Sequence, residues 1–300
     1  VLLGFQNIES IRVLFFLFLF IIYCVTISGN LLIMVLIHRS KNLQSPMYFF
    51  ITQLSLLDMM LSTDILPNLL HIILYNGCTM SLTGCVSQFS FFATAEVSEC
   101  LLLTVMSYDR YLAICKPLHY NSIINQRFCM KSVIIIWLLG FKIMLLDSIS
   151  LCSLYYCGPN IIDHFYCDIQ PILELSCSDP SWVHIQTIVI GFFCVSAPFT
   201  IIIVSYICIV LTILKIPSIS GRHKAFTTCS SHLIVVSIFF GSITIVYLFP
   251  TRGKLGGLGK VLSLFYTVIT PLLNPIIYTF RNKDFKIAFD KIKSDLGSLW

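Results

Sequence analysis

Val13-Leu14-Phe15-Phe16-Leu17-Phe18-Leu19-Phe20-Ile21-Ile22-Tyr23-Cys24-Val25-Thr26-Ile27-Ser28-Gly29-Asn30-Leu31-Leu32-Ile33-Met34-Val35-Leu36-Ile37 runs without a charge until His38-Arg39-Ser40-Lys41 stops it. A helix needs about 20 apolar residues to cross the hydrocarbon of a bilayer, and this run supplies them. It is too long for a signal-peptide core and lacks a convincing cleavage site, so it reads as a retained span. Beyond this first run, 13–37, six more follow at roughly 47–74, 82–106, 133–151, 183–214, 225–249 and 261–280. They predict an all-α membrane protein, a seven-transmembrane helix bundle forming one domain over residues 1–300. Composition agrees: with 57% hydrophobic and 11% charged residues, too few polar side chains exist to coat a soluble globule. A soluble enzyme is excluded on that ground. The net charge of +5 is too small and dispersed to give a nucleic-acid footprint.

Seven spans put the termini on opposite sides, and the positive charges choose between them. One set of connections carries Arg39, Lys41, Arg110, Lys116, Arg127, Lys131, Lys215, Arg222, Lys224, Arg281, Lys283, Lys286, Lys291 and Lys293, which is 14 of the 19 Lys and Arg residues. The other set holds Arg12, Arg252, Lys254 and Lys260, with Lys142 inside a span. The N-terminus is therefore expected outside and the C-terminus in the cytoplasm. Cys78, Cys85, Cys157, Cys167 and Cys177 lie in or beside the connections assigned outside, where disulfides form. The chain begins with Val1 and has no N-x-Ser/Thr sequon, so a further N-terminal stretch is expected ahead of it.

A charge inside a span costs roughly 2.5–3.5 kcal/mol on insertion scales, which makes each one a functional candidate. Asp58, Asp64, Glu96, Glu99, Lys142 and Asp147 are of this kind. Phe92, Glu96, Glu99 and Leu103 share one face of the third span at helical spacing. Pro198 and Pro275 remove backbone donors inside spans and free carbonyls for which Asn274 and Asp58 are suitable partners. After the last span, Phe285, Ala288, Phe289 and Ile292 recur at i, i+3, i+4 and i+7 among lysines, predicting a short interfacial amphipathic helix over about 282–293 that lies on membrane lipid.

The third span ends in Met106-Ser107-Tyr108-Asp109-Arg110-Tyr111-Leu112-Ala113-Ile114-Cys115-Lys116-Pro117-Leu118-His119-Tyr120, and the last in Pro271-Leu272-Leu273-Asn274-Pro275-Ile276-Ile277-Tyr278. With Pro46-Met47-Tyr48-Phe49-Phe50, Ser205-Tyr206 and Lys224-Ala225-Phe226-Thr227-Thr228-Cys229-Ser230-Ser231-His232, these strings resemble the odorant receptors among the rhodopsin-like G protein-coupled receptors. The resemblance implies a switch built from Asp109, Arg110, Tyr111, Tyr206, His232, Asn274, Pro275 and Tyr278. It also implies a polar core of Asn30, Asp58 and Glu99 with Asn274, which either bonds helices together or holds water or a cation. Disulfides Cys85–Cys167 and Cys157–Cys177 are implied, which leaves Cys78 as a free or exchangeable thiol. His164-x-x-Cys167-Asp168 resembles a metal site proposed for such receptors, but a cysteine in a disulfide is a poor ligand, and no metal or other cofactor is expected.

Ligand contact is carried by the same resemblance to Phe92, Ala93, Glu96 and Val97 of the third span, to Phe240, Ile243, Thr244 and Tyr247 of the sixth, and to the outer half of the fifth. Glu96 departs from the family pattern. Three residues from Glu99 on one face, it calls for a proton, for Lys142 or for a ligand amine as compensation. The expected function is an odorant-binding receptor at the plasma membrane that detects a small volatile molecule and activates a stimulatory olfactory-type heterotrimeric G protein. The alternative is a transporter or channel using the intramembrane carboxylates, although the paired, broken spans of internal repeats are not evident. Intramembrane hydrolysis would need a motif such as H-E-x-x-H or G-x-S-x-G, and neither occurs.

Overall fold

The computed structural model describes residues 1–6, 8–157, 159–248, 256–280 and 283–297, without the side chains at 224, 228, 246–248, 256, 257, 280, 283 and 292–297. The apolar runs form α1 (Arg12–Arg39), α2 (Pro46–Tyr75), α3 (Leu82–Cys115) and, beyond the short α4 (Pro117–Ile123), α5 (Gln126–Cys152). A short α6 (Ile169–Glu174) follows in the next connection. The fifth run is α7 (Ser181–Gly191) and α8 (Ala197–Leu214), joined through a π-helical turn at Phe192–Ser196 just before Pro198. The sixth is α9 (Ile219–Leu248). The seventh is α10 (Gly256–Leu264) and α11 (Thr270–Phe280), joined through a second π turn at Phe265–Ile269, and α12 (Lys283–Gly297) closes the chain.

Among the described residues six helical runs, counting α7 with α8 and α10 with α11 as one each, are long and apolar enough to cross a membrane, and α9 makes the seventh as a bent pair, Ile219–Thr227 and Cys229–Ile245 at 42°. Beside the break, Thr227 Oγ1 donates to the His223 carbonyl (2.8 Å) and Ser230 Oγ to the Thr227 carbonyl (3.1 Å).

Several helices outrun the expected spans, because the bilayer fixes the length of an apolar stretch and not of the helix carrying it. The third continues past Met106 to Cys115, so Asp109, Arg110 and Tyr111 are helical. The fourth begins at Gln126 and not at 133, since the Asn125 side chain accepts from the Phe128 N–H (2.9 Å) and caps it there. The sixth begins at Ile219 and not at 225, and the seventh at Gly256 and not at 261. The stripe expected on α12 divides: Phe285 and Ala288 are buried on the bundle, with Phe285 edge-on to Tyr48 at 5.5 Å, while Phe289 is exposed. The side chain of Ile292 lies outside the described residues.

α3 is the axis of the bundle, in contact with α2, α5, α8 and α9 and buried on nearly every face. Its approach to α5 depends on Gly140: a Cβ there would lie 2.8 Å from Ser98 Oγ and 3.0 Å from Thr94 Cγ2. Gly140→Leu is expected to force the two helices apart and to cost about 1–3 kcal/mol. A melting temperature equal to wild type would contradict that packing. Ile143 and Asp147 share this inward face, whereas Lys142, about 200° round from Gly140, is exposed. Lys142 is therefore not the partner of Glu96. Asp147 instead accepts from Gln186 Nε2 of α7 (2.8 Å).

The proline in the last span is served differently from the expectation too. Pro275 cannot donate to the Pro271 carbonyl one turn back, and Asn30 Nδ2 of α1 donates to it at 3.2 Å. Gly29 permits that approach, for a Cβ there would already lie 3.3 Å from the Pro275 ring. Asn274 and Asp58 bond each other instead.

One end of the bundle is closed by three pieces of chain. Leu2 forms an antiparallel bridge with Cys78 and a parallel bridge with Ile162, and the Gly4 N–H donates to the His164 carbonyl (3.1 Å). Gly4 has φ +61° and a Cβ there would overlap Ile72, so this turn requires glycine. Phe5 stacks on Phe165 at 5.6 Å.

Candidate ligand site and switch

Beneath that cap, Phe92, Ala93, Glu96 and Val97 of α3 are all buried. On α9, Phe240 and Ile243 are buried and Thr244 is half-buried, while the side chain of Tyr247 lies outside the described residues. Phe240 stacks on Phe199 of α8 at 4.9 Å. Phe92 meets different partners, Tyr166 (5.1 Å) and Tyr266 (6.1 Å), whose hydroxyls lie 2.6 Å apart. Two disulfides order the connection after α5: Cys85–Cys167 ties it to the start of α3 (Cα–Cα 5.4 Å), and Cys157–Cys177 closes it on itself (Cα–Cα 5.9 Å). Gln88 braces the first, accepting from the Cys167 N–H (3.0 Å) and donating to the Asp64 carbonyl (3.1 Å). Cys78 is a free thiol.

A buried lysine holds the cap. Lys260 of α10 donates to Asp163 Oδ1 (2.5 Å) and to the Gly4 carbonyl (2.8 Å), joining three segments. Burial, and next the Lys260 charge, push the neighbouring His164 imidazole down to about 3. Burial also pushes the Asp168 carboxyl up to about 6, although the Ile169 N–H and the Tyr166 hydroxyl bond it. The two act oppositely with pH. The unfolded chain binds the His164 proton more readily, so stability is lost as pH falls from about 6.5 toward 3; Asp168 adds stability as pH falls through about 6. Relative to wild type, His164→Phe is expected to gain up to about 2 kcal/mol on going from pH 7 to pH 5, read as the change in melting temperature. An identical pH dependence in both proteins would contradict a buried neutral His164.

At the other end, Asp109 is fully buried and holds Arg110 through Nε (3.0 Å) and Nη2 (2.6 Å) on one oxygen, while its second oxygen accepts from Tyr120 of α4 (2.7 Å). Tyr206 of α8 bonds His232 of α9, hydroxyl to Nδ1, at 2.6 Å. Tyr111 is half-buried, and the buried Tyr278 hydroxyl has no hydrogen-bond partner among the described residues. Between the two ends, Asn274 Nδ2 donates to both Asp58 oxygens at 3.0 Å. Glu99 is close enough to Asp58 for their charges to interact. Asn30 Oδ1, Asn274 Oδ1, Glu99 Oε1 and Ser62 Oγ are buried there without a hydrogen-bond partner among the described residues.

These arrangements sit on a sequence with close relatives. Residues 19–295 match the olfactory receptor family. The chain is 44% identical to human olfactory receptor 11A1 over 292 residues, 97% of this chain and 92% of that one. The chain belongs to the olfactory receptor family. It is also 43% identical to human olfactory receptor 10AG1 over 99% of its length and 98% of the relative's, and 45% identical to mouse olfactory receptor 5AP2 over 97% and 92%. This olfactory receptor is thus a multi-pass plasma-membrane odorant sensor of the G protein-coupled class and not an enzyme.

Three of its polar contacts fall on residues that sequence reasoning did not assign. Tyr120 stands inside the string that begins at Met106, yet its bond to Asp109 depends on α4 folding back under α3. Tyr166 and Tyr266 are a hundred residues apart and meet only through the folded connection. Gln88 carried a usable signal, an amide one turn beyond Cys85 in a span otherwise poor in amides.

Proposed function

We propose that a small volatile odorant binds at the disulfide-closed end, beside Phe92, Ala93, Glu96 and Val97 of α3 and Phe240, Ile243, Thr244 and Tyr247 of α9, and that binding frees Arg110 to engage a stimulatory olfactory-type heterotrimeric G protein. The observation that carries this reading is the buried Asp109–Arg110 pair capped by Tyr120. It is a closed, breakable contact, which a two-state element requires, and it lies about 27 Å along α3 from Phe92, so ligand and switch occupy opposite ends of one rod. Tyr206–His232 and the Asn274–Asp58 pair supply contacts that can rearrange with it.

In this reading the N-terminus and the disulfides face outward, and the basic connections and α12 lie at the cytoplasmic face, in keeping with the charge distribution. The exposed Phe289 would enter inner-leaflet lipid beside the exposed Lys286 and Lys291. The unpartnered oxygens around Asp58 and Glu99 suit water or a cation in the closed state. The test is a second-messenger readout in cells expressing the receptor under an odorant panel. A ligand-dependent response supports the reading; ion currents from the purified protein without G protein would replace it with a channel.

A further inference from the structure

The geometry points to an amine as the ligand: we propose that its ammonium seats between the carboxyls of Glu96 and Asp168, against the rings of Phe92, Tyr166 and Tyr266. The inference rests on the receptor reading for its signalling consequence but not for binding itself.

Glu96 and Asp168 come from separate pieces of chain, the middle of α3 and the residue just after the bridged Cys167. Each is only 8% exposed, and they are close enough for their charges to interact. Asp168 is partly satisfied by the Ile169 N–H (2.8 Å) and the Tyr166 hydroxyl. Glu96 is not: its Oε1 is buried without a hydrogen-bond partner among the described residues. Tyr266 lies within the electrostatic reach of both. Two acids thus converge beside three aromatic rings whose faces attract cations.

The local cations are committed elsewhere among the described residues. Lys260 is held by Asp163 and the Gly4 carbonyl, Arg12 faces Glu9, and Lys142 is on the outer face of α5. His164 stays neutral in its buried setting. A neutral alcohol could donate one hydrogen bond to Glu96 but brings no charge. A protonated amine offers several donors and a positive charge beside which both buried carboxyls can ionise.

The test uses the purified full chain in bilayer discs at pH 7, melted with butylamine, cyclohexylamine or 2-phenylethylamine and with the matched alcohols. At least one amine is expected to raise the melting temperature where its alcohol does not. Glu96→Gln keeps the shape, and Asp168→Asn keeps a residue able to cap α6, so both should fold. Each is expected to weaken the amine on the order of a hundredfold. Stabilisation by no amine, equal stabilisation by amine and alcohol, or unchanged amine affinity in both variants would overturn the inference. Second-messenger assays separate the two claims. Amine binding without a cellular response supports the site and contradicts coupling, whereas responses to neutral odorants alone, with no amine binding, contradict the site and leave the receptor reading standing.

Discussion

Arg110→Ala is expected to abolish G protein activation while ligand binding is retained, since Arg110 makes no contact at the ligand end and its pairing with Asp109 biases only the balance between the two states. Along α3, Arg110 lies about 21 Å from Glu96, so its removal leaves the Phe92–Tyr166–Tyr266 cluster untouched. What changes is the closed end. Asp109 keeps only the Tyr120 bond, and the guanidinium that would leave the pair to meet a G protein is gone. Because a buried carboxylate without its cation also destabilises the fold, surface expression has to be measured alongside both readouts. Equal loss of binding and signalling in receptor that reaches the surface would contradict the separation of roles.

Cys85→Ser or Cys167→Ser is expected to keep the protein from folding or export. The bond anchors the connection bearing Phe165, Tyr166 and Asp168 to the head of α3, and all three are buried. Loss of a native disulfide costs roughly 2–5 kcal/mol in small secreted domains, a scale comparable with the whole stability of many folds. Cys78→Ser should be mild, because among the described residues the Cys78 thiol makes only a long hydrogen bond, to the Thr79 carbonyl (3.7 Å). Normal surface levels of the Cys85 and Cys167 variants, or peptide mapping that pairs Cys78 with either cysteine, would contradict this assignment.

The transmembrane class was legible because the bilayer imposes a length on apolar stretches, and Val13 to Ile37 meets it without help from any other residue. Helix ends were not, where polar residues continue the helix beyond the membrane as at Tyr108 to Cys115. Asn125 was a readable cap that hydropathy alone passes over. The stripe through Phe92, Glu96 and Glu99 is buried throughout, but so is most of α3, so a face read from helical spacing could not say which neighbour each residue meets. Lys142 shows the same limit from outside: its span was clear, and its direction was set by the contact of Gly140 with Thr94 and Ser98. Asp168, weighed in the sequence only as part of a metal motif, became a candidate partner of Glu96 when the disulfide-tied connection brought the two together, a proximity that no local pattern encodes.

The most direct test of a receptor that links the disulfide-closed end to Arg110 is guanine-nucleotide exchange on a purified stimulatory G protein, catalysed by the purified receptor in bilayer discs with and without an activating odorant. Ligand-dependent exchange that disappears in Arg110→Ala, with odorant binding retained, is the expected result. Exchange that ignores the odorant, or that survives the loss of Arg110, would contradict it.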